Sequence, residues 1–543
     1  MHNKVLLLFN TVRYLKFVQI ANRFKRKFVK PKIDFSETPE ISIISHQFKP
    51  PIKCPQKIFD DGVFKFLNKE VNIHSVKDWN INNQDKLWLY NLHYFDDLNA
   101  VDSEQRYSFH GNLIQEWIDN NPVGYKNGWE PYPSSLRIVN WIKWFLLTGN
   151  CKQTWLDSLA NQTRFLSQNL EYHLLGNHLF ANAKALIFSG LYFCGDEANR
   201  WYRTGINILC KELPEQVLSD GGNFELSPMY HAIFLEDLLD LINIHQTYGK
   251  DLPFNIVKEV KQMLKWLDSM SHPDGEISFF NDSVLGVAPT LNELVNYASQ
   301  LDIEYKLGKL SGLIYLKDSG YIRLDRKDIV IIADVANIGP DYLPGHGHAD
   351  VLSFEMSLFG QRLIINSGIS TYKEGSDRQK QRGTLAHSTI TIDGKDSSQV
   401  WSEFRVAKRA KVFNIKTTVS NSFKFSACHD GYKGFLDRVI HCRQWCLYEN
   451  ILEIVDKVTG NGKHKITSVL PLHPNILVKN LQGNSVNLEI NGKKVNVNFE
   501  GDGLLKLETS KYHKEFGLSI RNEQLVYRYN GKLPFKSKIR ITW

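Results

Sequence analysis

The densest group of residues able to do acid–base or metal chemistry is Gly345-His346-Gly347-His348-Ala349-Asp350. Imidazole and carboxylate groups can ligate a metal or move protons near neutrality. In an extended chain the three titratable side chains fall on one face, and the glycines leave room for a ligand to approach the backbone. Clustered titratable groups favour a site over a solvated surface. Further on, Ile364-Ile365-Asn366-Ser367-Gly368 ends a strand pattern at a glycine turn, and Arg382 precedes Ala386-His387-Ser388-Thr389. If strand pairing brings Asn366 and His387 beside His348, the three form a small polar pocket. Otherwise they are a turn residue and a surface imidazole.

Three earlier segments interrupt an amphipathic pattern. Leu175-Gly176-Asn177-His178-Leu179 places polar residues at the start of an apolar helix, where Asn177 can act as a cap. Asp220-Gly221-Gly222-Asn223-Phe224-Glu225 leads into Ser227-Pro228-Met229-Tyr230-His231, a glycine turn with a proline at a helix start. This sets Tyr230 and His231 in the first turn. Asn127-Gly128-Trp129-Glu130-Pro131-Tyr132-Pro133 suits an aromatic sugar platform or simple loop packing.

The elements that must position these residues change character along the chain. Residues 1–60 read as a basic helix and a Pro- and Ser-rich connector, with Pro31, Pro39, Pro50, Pro51 and Pro55. Residues 61–310 form a helical domain, with three- and four-residue apolar spacing at 136–147, 155–170, 178–193, 230–248 and 257–270. Successive helical hairpins predict an α/α array, a solenoid or a closed toroid. Residues 311–543 turn to short strands such as 320–324, 329–334 and 352–358. Over 352–358 apolar and polar residues alternate, the pattern of a half-buried strand. Asn461-Gly462, Asn491-Gly492 and Asn530-Gly531 read as turns. The fold class expected is multidomain α+β, helices first and an antiparallel β-sandwich second.

At 543 residues with 42% hydrophobic content the chain can bury large cores, which excludes disorder. A formal charge of +8 weakly favours acidic partners. No nucleic-acid-binding signature accompanies it, so no nucleic acid partner is expected. Seven cysteines suggest free thiols rather than a disulfide framework. Near the start, Leu6, Phe9, Val12, Phe17 and Ile20 mix with Arg23, Lys25, Arg26, Lys27 and Lys30. This is a helix able to lie on an anionic membrane or to pack on its own domain. No small-x-small cleavage site follows it, and no apolar run is long enough to span a bilayer.

The ordered set Gly-Asn-His-Leu, Phe-Glu-x-Ser-Pro-Met-Tyr-His, Gly-His-Gly-His-Ala-Asp and Ala-His-Ser-Thr resembles the heparinase II/III family over about residues 85–543. The resemblance implies an (α/α) toroid joined to a β-sandwich, with a cleft between them. It also implies β-elimination across C4 and C5 of a uronic acid in an anionic polysaccharide. Tyr230 and His346 match the catalytic pair, and Asn177 with His178 the group that neutralises the substrate carboxylate. Trp129, Glu225, His231 and Arg382 are the candidate substrate contacts. His348, Asn366 and His387 match a divalent-metal (zinc) site, but Asn366 stands where metal-bearing relatives carry Asp. Any ion there is expected to be structural and weakly held. The resemblance suggests the cell envelope or periplasm, with the cytoplasm as runner-up because no export signal is visible.

The chemistry of the residues agrees with elimination. A uronate C5 hydrogen is poorly acidic because the neighbouring carboxylate resists further negative charge, and Asn177 and His178 can offset that charge. Tyr titrates near 10, so Tyr230 needs cationic neighbours to act as a base; otherwise His346 takes the proton and Tyr230 protonates the leaving oxygen. Hydrolysis by Glu225 with Asp274 or Glu276 is a competing reading, as is a polysaccharide-binding scaffold without activity.

Overall fold

The computed structural model describes residues 2–59, 62–73, 79–81, 83–308, 310–433 and 438–543. The boundary between residues 60 and 61 lies outside the described residues. Helices α1 (His2–Val12) and α2 (Phe17–Phe28) come first, followed by an extended arm and a short hairpin of Val63–Phe66 with Lys69–Asn72. The arm wraps the helical lobe through backbone contacts such as Ser42 N to Tyr192 O and Ser45 N to Thr247 O.

The helical lobe contains α3 (Lys86–Tyr94), α4 (Tyr107–Asn120), α5 (Pro131–Thr148), α6 (Gln153–Ser167), α7 (Gly176–Tyr192), α8 (Gly195–Gln216), α9 (Pro228–Thr247), α10 (Ile256–Ser269) and α11 (Leu291–Gln300). Odd-numbered helices pack in succession, α3 on α5, α5 on α7, α7 on α9 and α9 on α11. Even-numbered helices cover them from outside. This is the two-layered helical toroid. A buried inner layer explains why α7 is apolar nearly all round. Every residue of α7 is buried except Asn177 and His178. Local chemistry sets the helix ends: Gly149 closes α5 in the left-handed region, and the Ser227 side chain accepts the Tyr230 N–H ahead of Pro228.

The strand lobe is antiparallel in every named strand pairing. A five-stranded meander runs Gly312–Leu316, Tyr321–Arg326, Ile329–Asp334, Phe354–Leu358 and Gln361–Ile364. A four-stranded sheet includes Lys463–Pro471 and Ile520–Lys532, and an eight-stranded sheet includes Phe423–His429, Ile440–Leu447 and Ile451–Thr459. Ile331, Ile466 and Trp445, one from each sheet, share a single core, so the sheets stack as a sandwich. The other face of the meander closes on the helical lobe: Val330 and Ile332 pack with Trp266 and Met270.

Four expectations change. Strand 354–358 is buried on both faces, because Glu355 and Ser357 point into the lobe junction and both meet His272, at 2.9 and 2.7 Å. The segment holding His346, His348 and Asp350 is irregular rather than extended strand, yet His346 and His348 still converge on Asp282 and Asp350 on the adjacent Asn281 N–H. Asn530-Gly531 lies inside Ile520–Lys532 rather than at a turn. Cys428 and Cys442, directly opposed on neighbouring strands, form a disulfide instead of staying as thiols. Sequence spacing does not reveal that register.

Candidate active site

The sandwich side of the site is organised around Asp282, on the loop after α10. Its carboxylate meets His346 Nδ1 at 2.9 Å and His348 Nε2 at 2.8 Å. Arg378, on the short helix α12 (Ser376–Arg382), closes on both oxygens, with Nη2 at 2.7 Å. Burial opposes ionisation of Asp282, yet Arg378 and the two imidazoles hold it well below the ordinary carboxylate range. An imidazole that gives its Nδ1 proton to Asp282 presents Nε2 outward. His346 Nε2 faces Glu225, 3.5 Å away, and the ring keeps some exposure to the cleft.

The helical side comes from the mouths of α7 and α9. Tyr230, in the first turn of α9, lays its ring 4.0 Å from that of His346, centroid to centroid. Its hydroxyl lies 3.0 Å from that of Tyr372, on the sandwich loop after Gly368. Burial pushes the Tyr230 phenol well above its ordinary value, and Tyr372, Tyr132 and Asp282 add to the effect. Tyr230 is therefore held as a neutral phenol. Asn177, Tyr132, Asn223, Glu225, Tyr230 and Asp237 line one small concavity. His178, one position along α7, sets its ring 4.5 Å from that of Tyr132, centroid to centroid, and meets Glu171 at 3.2 Å. Burial opposes its charge, but the Glu171 carboxylate raises His178 above the ordinary imidazole value.

Both helix mouths carry backbone in the left-handed region: Leu175 (φ 68°) before α7 and Leu226 (φ 60°) before α9. Such strain persists only where surrounding structure enforces it, and it gathers at functional sites. Gly176 (φ 56°) shows one enforcing contact. A Cβ there would stand 2.3 Å from Leu343 of the sandwich, so glycine lets the two lobes meet at the cleft.

Behind His346 lies a second cluster. His348 Nδ1, both ring nitrogens of His387 and both amide atoms of Asn366 are buried with no hydrogen-bond partner. Buried polar atoms are ordinarily satisfied, so such a set fits a bound ion. His348, Asp350 and His387 offer ligand atoms within 4.8 Å of one another. Burial pushes the Asp350 carboxyl up to about 6 and holds His387 well below its ordinary value, hence neutral. The donor set fits a divalent ion, with Asp350 adding the carboxylate that Asn366 lacks.

The structure therefore brings Asn177, His178, Glu225, Tyr230 and His346 to one cleft, and His348 and His387 together with Asp350 behind it, with Asn366 buried one position before Ser367, whose N–H donates to Ala386 O. Three candidate substrate contacts are corrected. Trp129 is buried among Trp117 and Phe165 with its indole N–H on Asn121 O, so Tyr132 is the aromatic of that loop that reaches the cleft. His231 is fully buried between Asn223 N and Met263 O, stacked on Trp266. Arg382 is fully buried, and its guanidinium clasps Gly347 O and Glu403 O, which fixes the His346 loop. Asp274, the suggested hydrolytic partner of Glu225, is taken by Arg362 at 2.7 Å and does not line the concavity. Sequence reasoning missed Asp282, Tyr372, Arg378 and Tyr132. Only Tyr132 carried a signal, its aromatic, Pro-rich loop.

Residues 10–303 match the family profile described as "Heparinase II/III N-terminus", and residues 308–543 match "Heparinase II/III-like, C-terminal". A heparin-sulfate lyase of Bacteroides stercoris is 26% identical over 316 residues, 54% of this chain and 45% of the relative. One of Pedobacter heparinus is 26% identical over 322 residues, 52% of this chain and 47% of the relative. The chain thus spans about half the length of the curated relatives it matches. A crystal structure of heparinase III superposes with a TM-score of 0.69 at 18% identity, covering 85% of this chain and 78% of that one. A heparan sulfate lyase structure from Pedobacter heparinus gives 0.59 at 19% identity, covering 97% and 88%. With both of its halves matched in order, and the toroid and sandwich in place, the chain belongs to the heparinase II/III family.

Proposed function

We propose that this protein is a polysaccharide lyase that eliminates across C4 and C5 of a uronic acid in an anionic polysaccharide. The observation that carries the reading is the close approach of the Tyr230 and His346 rings across the lobe junction, beside Asn177 and a His178 that Glu171 raises above the ordinary imidazole value. Asn177 and His178 neutralise the uronate carboxylate, which makes the C5 proton removable. His346 Nε2, oriented by Asp282, takes that proton. The C4–O bond breaks as the C4–C5 double bond forms, and the Tyr230 phenol protonates the departing oxygen. A neutral phenol suits donation better than abstraction, which is why the two roles fall this way round. The relatives' description as heparin-sulfate lyases supports an anionic substrate.

His348, Asp350 and His387, with the Asn366 amide, are the residues that would hold a divalent ion. Such an ion would supply a structural cross-link between the His348–Asp350 segment and the His387 segment. The Cys428–Cys442 disulfide supports an oxidising compartment of the cell envelope as the place of action.

The test is ultraviolet absorbance during incubation with a panel of uronate polymers, since elimination leaves an absorbing unsaturated sugar. Growing absorbance with one of them is the expected result. Chain shortening without absorbance would mean hydrolysis, and binding without cleavage would mean an inactive scaffold.

A further inference from the structure

The first thirty residues carry a surface that the cleft chemistry does not use. Before Asp34 the chain holds nine Lys or Arg and no Asp or Glu. In α2, at 100° per residue, Phe17, Phe24 and Phe28 fall within about 40° of one another. They are 82%, 60% and 82% exposed. Lys25 and Lys27 flank this stripe on either side, each about 80° from Phe17, and both are exposed. Gln19 and Arg26 lie on the opposite face and hold the protein. In α1, Val5, Phe9 and Val12 form a second exposed apolar stripe, while Asn10 is buried behind them.

These helices are firmly seated. Gln19 Nε2 donates to Leu174 O of the helical lobe and Tyr342 O of the sandwich lobe, at 3.2 and 3.3 Å. Arg26 donates to Asn169 O, Lys16 pairs with Glu215, and the Trp401 indole donates to Thr11 Oγ1. The polar face thus packs inward, and the phenylalanines are held out in water. That is the reverse of a helix serving its own core, where the apolar face turns inward. No described helix is long and apolar enough to cross a membrane.

We infer that α1 and α2 form a docking surface for an anionic lipid bilayer. Apolar rings between lysines, with little overall hydrophobicity, match what lies in the plane of a lipid interface. The rings enter the acyl boundary and the lysines meet anionic headgroups. An acidic polysaccharide would use the lysines but has no need of three outward phenylalanines, so the lipid surface is the better match. Because Tyr342 and Leu174 lead into the loops of His346 and Asn177, docking holds the edge of the cleft at the membrane.

The experiment is flotation of the full chain with phosphatidylcholine vesicles, with and without phosphatidylglycerol. The expected result is salt-sensitive binding to the anionic vesicles alone. Phe17→Ser/Phe24→Ser/Phe28→Ser should lose at least about ten-fold in partitioning, and Lys25→Gln/Lys27→Gln/Lys30→Gln roughly a hundred-fold. The lysine variant keeps the test decisive should the phenylalanine variant fold poorly. Three results would overturn the inference: no flotation of the wild-type chain, flotation unchanged in a folded variant of either kind, or loss of self-association in the variants with no lipid binding at all. Retention on an immobilised acidic polymer that needs the lysines, without vesicle binding, would assign the face to substrate instead.

Discussion

Asp282 and His346, 64 positions apart, meet at 2.9 Å across the junction of the two lobes. The carboxylate belongs to the helical half and the imidazole to the sandwich half, so the ring is oriented by the lobe it does not belong to. Arg378 and His348 share the same carboxylate. Replacing Asp282 with Asn leaves Arg378 buried beside a neutral amide. Breaking a buried pair in this way costs about 3–5 kcal/mol. Thermal unfolding should fall accordingly, and turnover of the folded fraction should drop with it. A variant with unchanged melting and unchanged turnover would show that the carboxylate orients nothing.

Tyr230→Phe keeps the ring against His346 and removes only the hydroxyl that meets Tyr372. Folding and polymer binding should persist while turnover falls by about 10²- to 10⁴-fold, the usual worth of a positioned acid or base. Near-normal turnover on the true substrate, in a folded variant, would remove Tyr230 from the chemistry.

For the ion, Asp350→Asn should lower the metal retained after dialysis, measured by elemental mass spectrometry, because it deletes the sole carboxylate of the cluster. Asn366→Asp should raise it. If neither substitution changes metal content, the orphaned nitrogens of His348 and His387 serve something other than an ion.

Burial holds His93 and His231 at about 3 and His245 at about 4, against an ordinary 6.5. A folded value below the unfolded one means that the unfolded chain takes up the proton first. Stability from these groups is therefore complete above pH 6.5 and is lost as the pH falls from there toward 4. Each contributes a slope of roughly 1.4 kcal/mol per pH unit. Urea midpoints should decline steadily over that window, and a flat profile would contradict it.

Much of the architecture was legible because it rests on period. The 3.6-residue pattern found α5, α6, α7, α9 and α10, and the change to short alternating runs found the sandwich. The site was legible where chemistry clustered locally, as at His346 and His348, or interrupted a helix, as at Asn177 and Tyr230. It was not legible where side chains converge from distant loops. Asp282 follows two phenylalanines in a loop with no periodicity, and nothing in its neighbours announces that three cationic or imidazole groups will close on it. Trp129 and His231 misled for the opposite reason. Residue type suggested contact with a ligand, while tertiary packing had already used the indole and the ring. The cross-strand disulfide depends on a strand register that composition cannot reveal.

Tyr230 lies in the half of the chain that is synthesised first and His346 in the half that follows, and neither half carries both. A chain still on the ribosome, or one cut between the lobes, carries half of the proposed acid–base pair and a helical core that lacks Ile365, Ile369, Tyr512 and Phe516. The proposed pair is complete only once the His346 loop has met Asp282.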